Sequence, residues 1–166
     1  MLFKKKPHNS NLYNILLKLS RNKFFYEKIN LPDVAETRIY LMFIHFSILM
    51  IVYKKNGKKF DQSNYDYFFH NIENNLRELG YGDVSVNKKM KDLNKILYDI
   101  LLKIEKPESN QKFNLNHALI HKYFNDLHDE KSEKYMIFKD YFLNFHNFCF
   151  DLPLENVISE SENFKN

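Results

Sequence analysis

Few residues in this chain stand in arrangements that do chemistry, and the histidines come first. His117 and His121 lie four apart in His-Ala-Leu-Ile-His, a spacing that puts two imidazoles on one helix face as zinc ligands require. The glutamate that a zinc protease places after its first histidine is missing, and no third ligand is indicated. The pair therefore reads as surface histidines, and no metal is expected. His45 interrupts an otherwise apolar run. It has two readings: a neutral core imidazole bonded to a nearby carbonyl or hydroxyl, or a contact to haem or quinone, since imidazole binds iron. Ser47 is only two residues from His45, and side chains two apart on a helix diverge, so the two do not form a nucleophile–base pair. Glu73, Glu78 and Asp83 make no facing carboxylate pair. The single cysteine, Cys149, lies between Phe148 and Phe150 and reads as a buried, inert thiol. No catalytic residue, cofactor, metal or small-molecule substrate is assigned.

What remains is a polar corner, Leu76-Arg77-Glu78-Leu79-Gly80-Tyr81-Gly82-Asp83-Val84. Gly80 and Gly82 form the turn. Arg77, Glu78, Asp83, Lys88 and Lys91 decorate one end of the two flanking helices as a charged recognition patch. A second candidate, Lys23-Phe24-Phe25-Tyr26, interleaves a basic residue with aromatics that either stack bases or belong to the core.

The elements that position these residues are helices. A chain of 166 residues makes one domain, and only 3 Gly and 4 Pro leave too few turn formers for a sandwich or barrel. Leu12, Ile15, Leu16 and Leu19 recur at helical spacing, and Phe24 to Tyr26 make a second short helical stretch. Asp33 and Glu36 resemble a capping box that opens the next helix, which runs to about Tyr53 and stops before Asn56-Gly57. From Ile39 to Tyr53 that helix is apolar on every side, apart from His45 and Ser47. It spans about 22 Å, short of the ~30 Å of a bilayer core, and charged residues flank it. It reads as the central helix of a bundle; the rival reading is a helix touching a membrane surface beside Lys54, Lys55, Lys58 and Lys59.

Tyr65, Phe68, Phe69, Ile72, Leu76 and Leu79 form one apolar stripe, closed by Gly80 as a left-handed cap. Val86, Met90, Leu93, Leu97, Ile100, Leu101 and Ile104 form the next, with Ser85 as its expected N-cap and Pro107 as its stop. Beyond a polar linker, Leu115, Leu119, Tyr123 and Leu127 mark one helix. Tyr135, Phe138, Tyr141, Phe142, Phe145 and Phe148 mark another, capped by Ser132. The expectation is an all-α, single-domain bundle of about six or seven helices. Residues 1–10 form a basic lead-in, 11–150 the helical domain and 151–166 a loosely held polar tail.

The net charge is +4, with a composition in which Lys, Asn, Ile, Phe and Tyr, all encoded by AT-rich codons, rise together. Charge alone thus decides no partner, although Lys88, Lys89, Lys91 and Lys95 leave an RNA- or ribosome-binding helical module as the alternative. The segment after Met1-Leu2-Phe3-Lys4-Lys5-Lys6-Pro7 lacks the apolar stretch of a signal peptide, and a cytoplasmic location is expected.

The corner carries a resemblance. Leu76-Arg77-Glu78-Leu79-Gly80-Tyr81-Gly82-Asp83, followed by Val86, Lys88, Met90 and Lys91, resembles the Leu-Arg-Glu-Met-Gly-x-Gly-Asp signature of the ubiquinol–cytochrome c chaperone family. Phe25-Tyr26, then Leu31-Pro32-Asp33, Arg38, His45 and Tyr98 are similar to further landmarks of that family in order and spacing, over roughly residues 12–145. Asn71-Ile72-Glu73 stands where the family carries Asp-Met-Asp, and Asp99-Ile100 where it carries Gly-Arg. The resemblance implies a non-enzymatic assembly chaperone for the cytochrome bc1 complex (respiratory complex III) that binds newly made cytochrome b. It further implies a setting at the ribosome exit region, a small helical partner protein, and peripheral contact with the cytoplasmic face of the inner membrane. Arg38, His45, Arg77, Glu78, Asp83, Lys88 and Lys91 are its expected client- and partner-binding residues.

Overall fold

A computed structural model describes residues 11–105 and 113–166. The lead-in 1–10 and the linker from Pro107 to Lys112 lie outside the described residues. The described chain is all-α: α1 (Asn11–Ser20), a π-helical turn (Phe24–Lys28), α2 (Ala35–Lys55), α3 (Gln62–Glu78), α4 (Asp83–Glu105), α5 (His117–Tyr123), α6 (Glu133–Phe150) and α7 (Val157–Ser161). Short 3-10 turns at Asn125–Leu127 and Leu154–Asn156 connect the later helices, and no strand occurs among the described residues.

Helix α2 is the axis of the bundle. Every residue from Leu41 to Leu49 is buried, so no face is left for solvent. Its length and apolarity would suffice to cross a membrane, yet α1, α4 and α6 pack around it. Phe43 and Phe46 meet Phe68 of α3, and Phe25 of the π-helical turn meets Tyr141 of α6 at 4.7 Å between ring centroids. α3 lies on α1 and α4, α5 on α4, and α7 closes against α1 and α6.

Helix ends follow local chemistry. The side chains of Asp61, Asn116 and Ser132 cap α3, α5 and α6 by accepting from the backbone N–H of Ser63 (3.0 Å), Ala118 (2.7 Å) and Tyr135 (3.2 Å). The Ser132 cap is thus as expected; two other expected caps are not. α2 begins at Ala35, with Val34 at the N-cap and no side-chain bond there, because the Asp33 carboxylate takes the charge-assisted hydrogen bonds of Arg38 instead. α4 begins at Asp83, two residues before Ser85, since the Gly82 carbonyl already accepts from Val86 N–H at 2.9 Å. Asp83 in that first turn also complements the helix dipole.

Two further expectations are corrected. α5 does not continue to Leu127: Phe124 leaves helical geometry at φ −132°, ψ 76°, and Leu127 reaches the core from the following 3-10 turn. The tail is not loose either. Val157 is fully buried, the Tyr53 hydroxyl donates to the Leu154 carbonyl at 3.3 Å, and the Phe164 ring meets Tyr141, Phe145 and Phe148 at 5.3–5.6 Å. Polar residues between these anchors hide a helical spacing that a short helix uses to seal α1 against α6.

Removing Phe164 should therefore cost real stability. Phe164→Ala is expected to lose about 2 kcal/mol, because three ring contacts go with a half-buried side chain. A thermal melt should fall by roughly 4–8 °C; an unchanged midpoint would show the tail to be unattached.

Candidate functional site

The α3–α4 corner is built from the end of one helix and the start of another. α3 closes in a Schellman motif: Gly80 N–H donates to the Arg77 carbonyl (3.0 Å) and Tyr81 N–H to the Leu76 carbonyl (3.2 Å). This requires the left-handed backbone that Gly80 adopts at φ +94°. Gly82 has no positive φ, and a Cβ there would meet nothing within 4 Å, so the turn itself does not demand glycine at that position. Arg77 pins the corner from outside. Its guanidinium pairs with Asp83 across the turn and with Glu73 one helical turn back, at 3.1 Å.

Around this clamp lies an apolar tip that the sequence reading did not single out. Leu79 is 63% exposed, Val84 85% and Tyr81 39%. Leu79 continues the α3 stripe in spacing, but the helix ends at Glu78 and the chain turns away before Leu79 reaches the core. Val84 carried a legible signal, since it lies off the Val86–Met90–Leu93 register. Lys89 covers the Tyr81 ring at 5.1 Å.

The expected site residues divide accordingly. Arg77 and Asp83 are joined, while Glu78, Lys88 and Lys91 stand exposed on the same two helices. Glu73, not Glu78, completes the Arg77 pair. Arg38 lies in the first turns of α2, paired with Asp33 and beside Tyr26. His45 is elsewhere: it is fully buried. Its Nδ1 is 2.6 Å from the Leu41 carbonyl, which only accepts, so Nδ1 carries the proton. Nε2 is then the acceptor, and the Tyr141 hydroxyl donates to it at 2.9 Å. Phe25, Phe142 and Phe145 surround the ring. His45 is the neutral core histidine of the first reading; its iron-binding nitrogen is occupied by α6, and it presents nothing to a client.

Other polar groups are structural. Asp99 clasps α4 to α5. Burial alone would raise its carboxyl, but hydrogen bonds from Lys103, Lys122 and Tyr123 outweigh that and hold it below the usual carboxylate range. His117 and His121 pack ring to ring at 4.1 Å, and His117 Nδ1 lies 2.7 Å from the Tyr135 hydroxyl and 2.5 Å from Glu130. Among the described residues, no group of three His, Cys, Asp or Glu side chains converges as a metal site. Burial pushes the Cys149 thiol up to about 12, which makes it a poor nucleophile.

The profile of the ubiquinol-cytochrome C chaperones matches residues 27–138, well over half of the chain. The chain belongs to that family. The matched span in this ubiquinol-cytochrome C chaperone relative runs from the π-helical turn into α6 and contains Arg38, His45 and the whole α3–α4 corner. α1 and α7 lie outside it. No curated protein and no solved structure matches the chain.

The buried imidazole makes stability depend on pH. In the unfolded chain it titrates near 6.5; in the fold, burial lowers it to about 4, against the opposing pull of the Leu41 hydrogen bond. Between those values the unfolded chain binds a proton that the folded one refuses. Stability is therefore intact above pH 6.5 and lost as pH falls toward 4, by about 3 kcal/mol from this group. His146, also lowered by burial with Lys55 beside it, pulls the same way. In urea unfolding at pH 7.5 and 4.5, His45→Gln should be less stable at pH 7.5 and should lack about 2–3 kcal/mol of the stability loss between the two pH values. An unchanged slope would contradict the buried neutral imidazole.

Proposed function

We propose that this family member is a non-enzymatic chaperone that captures newly made cytochrome b during assembly of the bc1 complex. The setting proposed is the cytoplasmic face of the inner membrane near the ribosome exit, with a small helical partner. The supporting observation is the exposed apolar tip Leu79–Tyr81–Val84, bracketed by the Arg77 ion pairs inside the family-matched span. A membrane-protein client outside its bilayer exposes apolar helix surface, and a chaperone needs apolar surface of its own to shield it. Here that surface is small and rimmed by charge, which keeps the free protein soluble while allowing release.

The clamp has a purpose in this account. Leu79 and Val84 sit on a turn, and a mobile turn would lose ordering entropy on each capture. The Schellman closure fixes the backbone that carries the two side chains, and the Arg77 pairs with Glu73 and Asp83 bridge the turn beside them.

Leu79→Ser with Val84→Ser removes the apolar tip and leaves every core residue intact. In a strain carrying that variant, assembled haem-b absorbance in membranes should fall at least fivefold, with the cytochrome b transcript unchanged. Circular dichroism of the purified variant should match the parent. Undiminished haem-b spectra in both this strain and a gene deletion would refute the cytochrome b reading. Normal spectra in the variant alone would refute the corner as the capture site.

A further inference from the structure

Helix α4 has two faces with the same spacing. Val86, Met90, Leu93, Leu97, Ile100 and Ile104 point inward, at alternating steps of four and three. Shifted by two residues, Val84, Lys88, Lys91, Lys95, Tyr98 and Leu102 repeat those steps on the opposite side, and all six are exposed. At about 100° per residue they lie within a band about 80° wide, which is the seam geometry of helix-on-helix packing. The apolar members are not marginal: Val84 is 85% exposed, Tyr98 57% and Leu102 56%.

The charges on this seam are uncompensated. Lys88, Lys91 and Lys95 make no ion pair among the described residues. Asp83 is taken by Arg77, and Asp99 by Lys103, Lys122 and Tyr123. Asp92 lies on the flank of the band rather than in it. The result is one line about 27 Å long that is apolar at each end and basic in the middle.

Three occupants meet basic charge, and the order of residues separates them. Nucleic acid would use the lysines, but Val84 and Leu102 offer nothing to phosphates. A bilayer would take the apolar ends, yet inserting them drags Lys91 and Lys95, which lie between them on the same line, toward hydrocarbon. A helix with acidic residues opposite the lysines and apolar ones opposite the ends satisfies every position at once. We propose that the outer face of α4 docks an amphipathic helix of a partner protein, about five turns long, apolar at both ends and acidic in its centre. The proposal deepens the chaperone reading by giving a helical partner a surface and a chemistry.

The full chain can be tested by fluorescence anisotropy against two labelled 20-residue helical peptides, identical except that three central seam positions are all Glu or all Lys. The Glu peptide should bind at least tenfold more tightly. The triple reversal Lys88→Glu, Lys91→Glu, Lys95→Glu should invert that preference, and Lys91→Glu alone should narrow it. Val84→Ser with Leu102→Ser should weaken the Glu peptide at least fivefold, with circular dichroism unchanged. Equal binding of the two peptides, or a preference that survives the reversal, would overturn the proposal. So would lysine-dependent binding of poly-uridylate, or of vesicles rich in phosphatidylserine, that the Val84 and Leu102 changes leave intact. These outcomes are independent of haem-b assembly, so the docking surface and the cytochrome b reading fail separately.

Discussion

Everything in this fold answers to a helix that is apolar all the way round. Water contact on any side of α2 would forfeit burial worth roughly 1.5–3 kcal/mol for each large side chain. The chain therefore has to enclose it with α1, α4 and α6, while Phe68 of α3 covers Phe43 and Phe46. At mid-helix this interior must accommodate the imidazole of His45 beside the buried hydroxyl of Ser47. The imidazole is tolerated because Leu41 and Tyr141 satisfy both sides of the ring. The same hydrogen bond ties α2 to α6 and fixes their register, so a residue with a ligand's chemistry serves here as a core fastener.

Nine large apolar side chains remain exposed among the described residues, and where the most exposed of them lie is informative. Two of the most exposed apolar side chains, Leu79 and Val84, lie six positions from the ends of the core stripes or fewer, yet point outward. The reason is the turn between them. Gly80 in the left-handed region reverses the chain two residues past the α3 terminus, which strands Leu79 outside. The early start of α4 at Asp83 then sets Val84 on its solvent face. The exposed Arg77–Asp83 ion pair spans that turn. The proposed capture site at the corner and the proposed docking face of α4 share Val84 at their junction, so a helix seated on α4 would lie against the corner.

What was legible in the sequence follows from periodicity. The stripes of α3, α4 and α6 and the unbroken apolarity of α2 announce themselves because burial selects side chains at fixed helical steps. Gly80 and Ser132 were legible because each has one stereochemical job. Asp33 and Ser85 misled because a capping residue is identified by composition, while its bond is decided by competition: Arg38 wins Asp33, and the Gly82 carbonyl opens α4 first. Leu79 misled because spacing continues past the point where the helix stops. His45 was legible in type, but only the position of Tyr141, 96 residues away, settles what its Nε2 does. The exposed tip was legible only in part: Val84 lies off the core register of α4, whereas Leu79 keeps the spacing of α3, and its exposure depends on where that helix stops.

The central claim is that the Leu79–Tyr81–Val84 tip touches cytochrome b in the cell. A photo-reactive benzophenone residue placed at Val84, with a second strain carrying it at the exposed Asn144 of α6 as reference, tests that contact directly. After irradiation of growing cells, the account expects a covalent adduct containing cytochrome b from position 84 and none from position 144. Equal cytochrome b adducts from both positions, or adducts from position 84 that contain only other polypeptides, would contradict it.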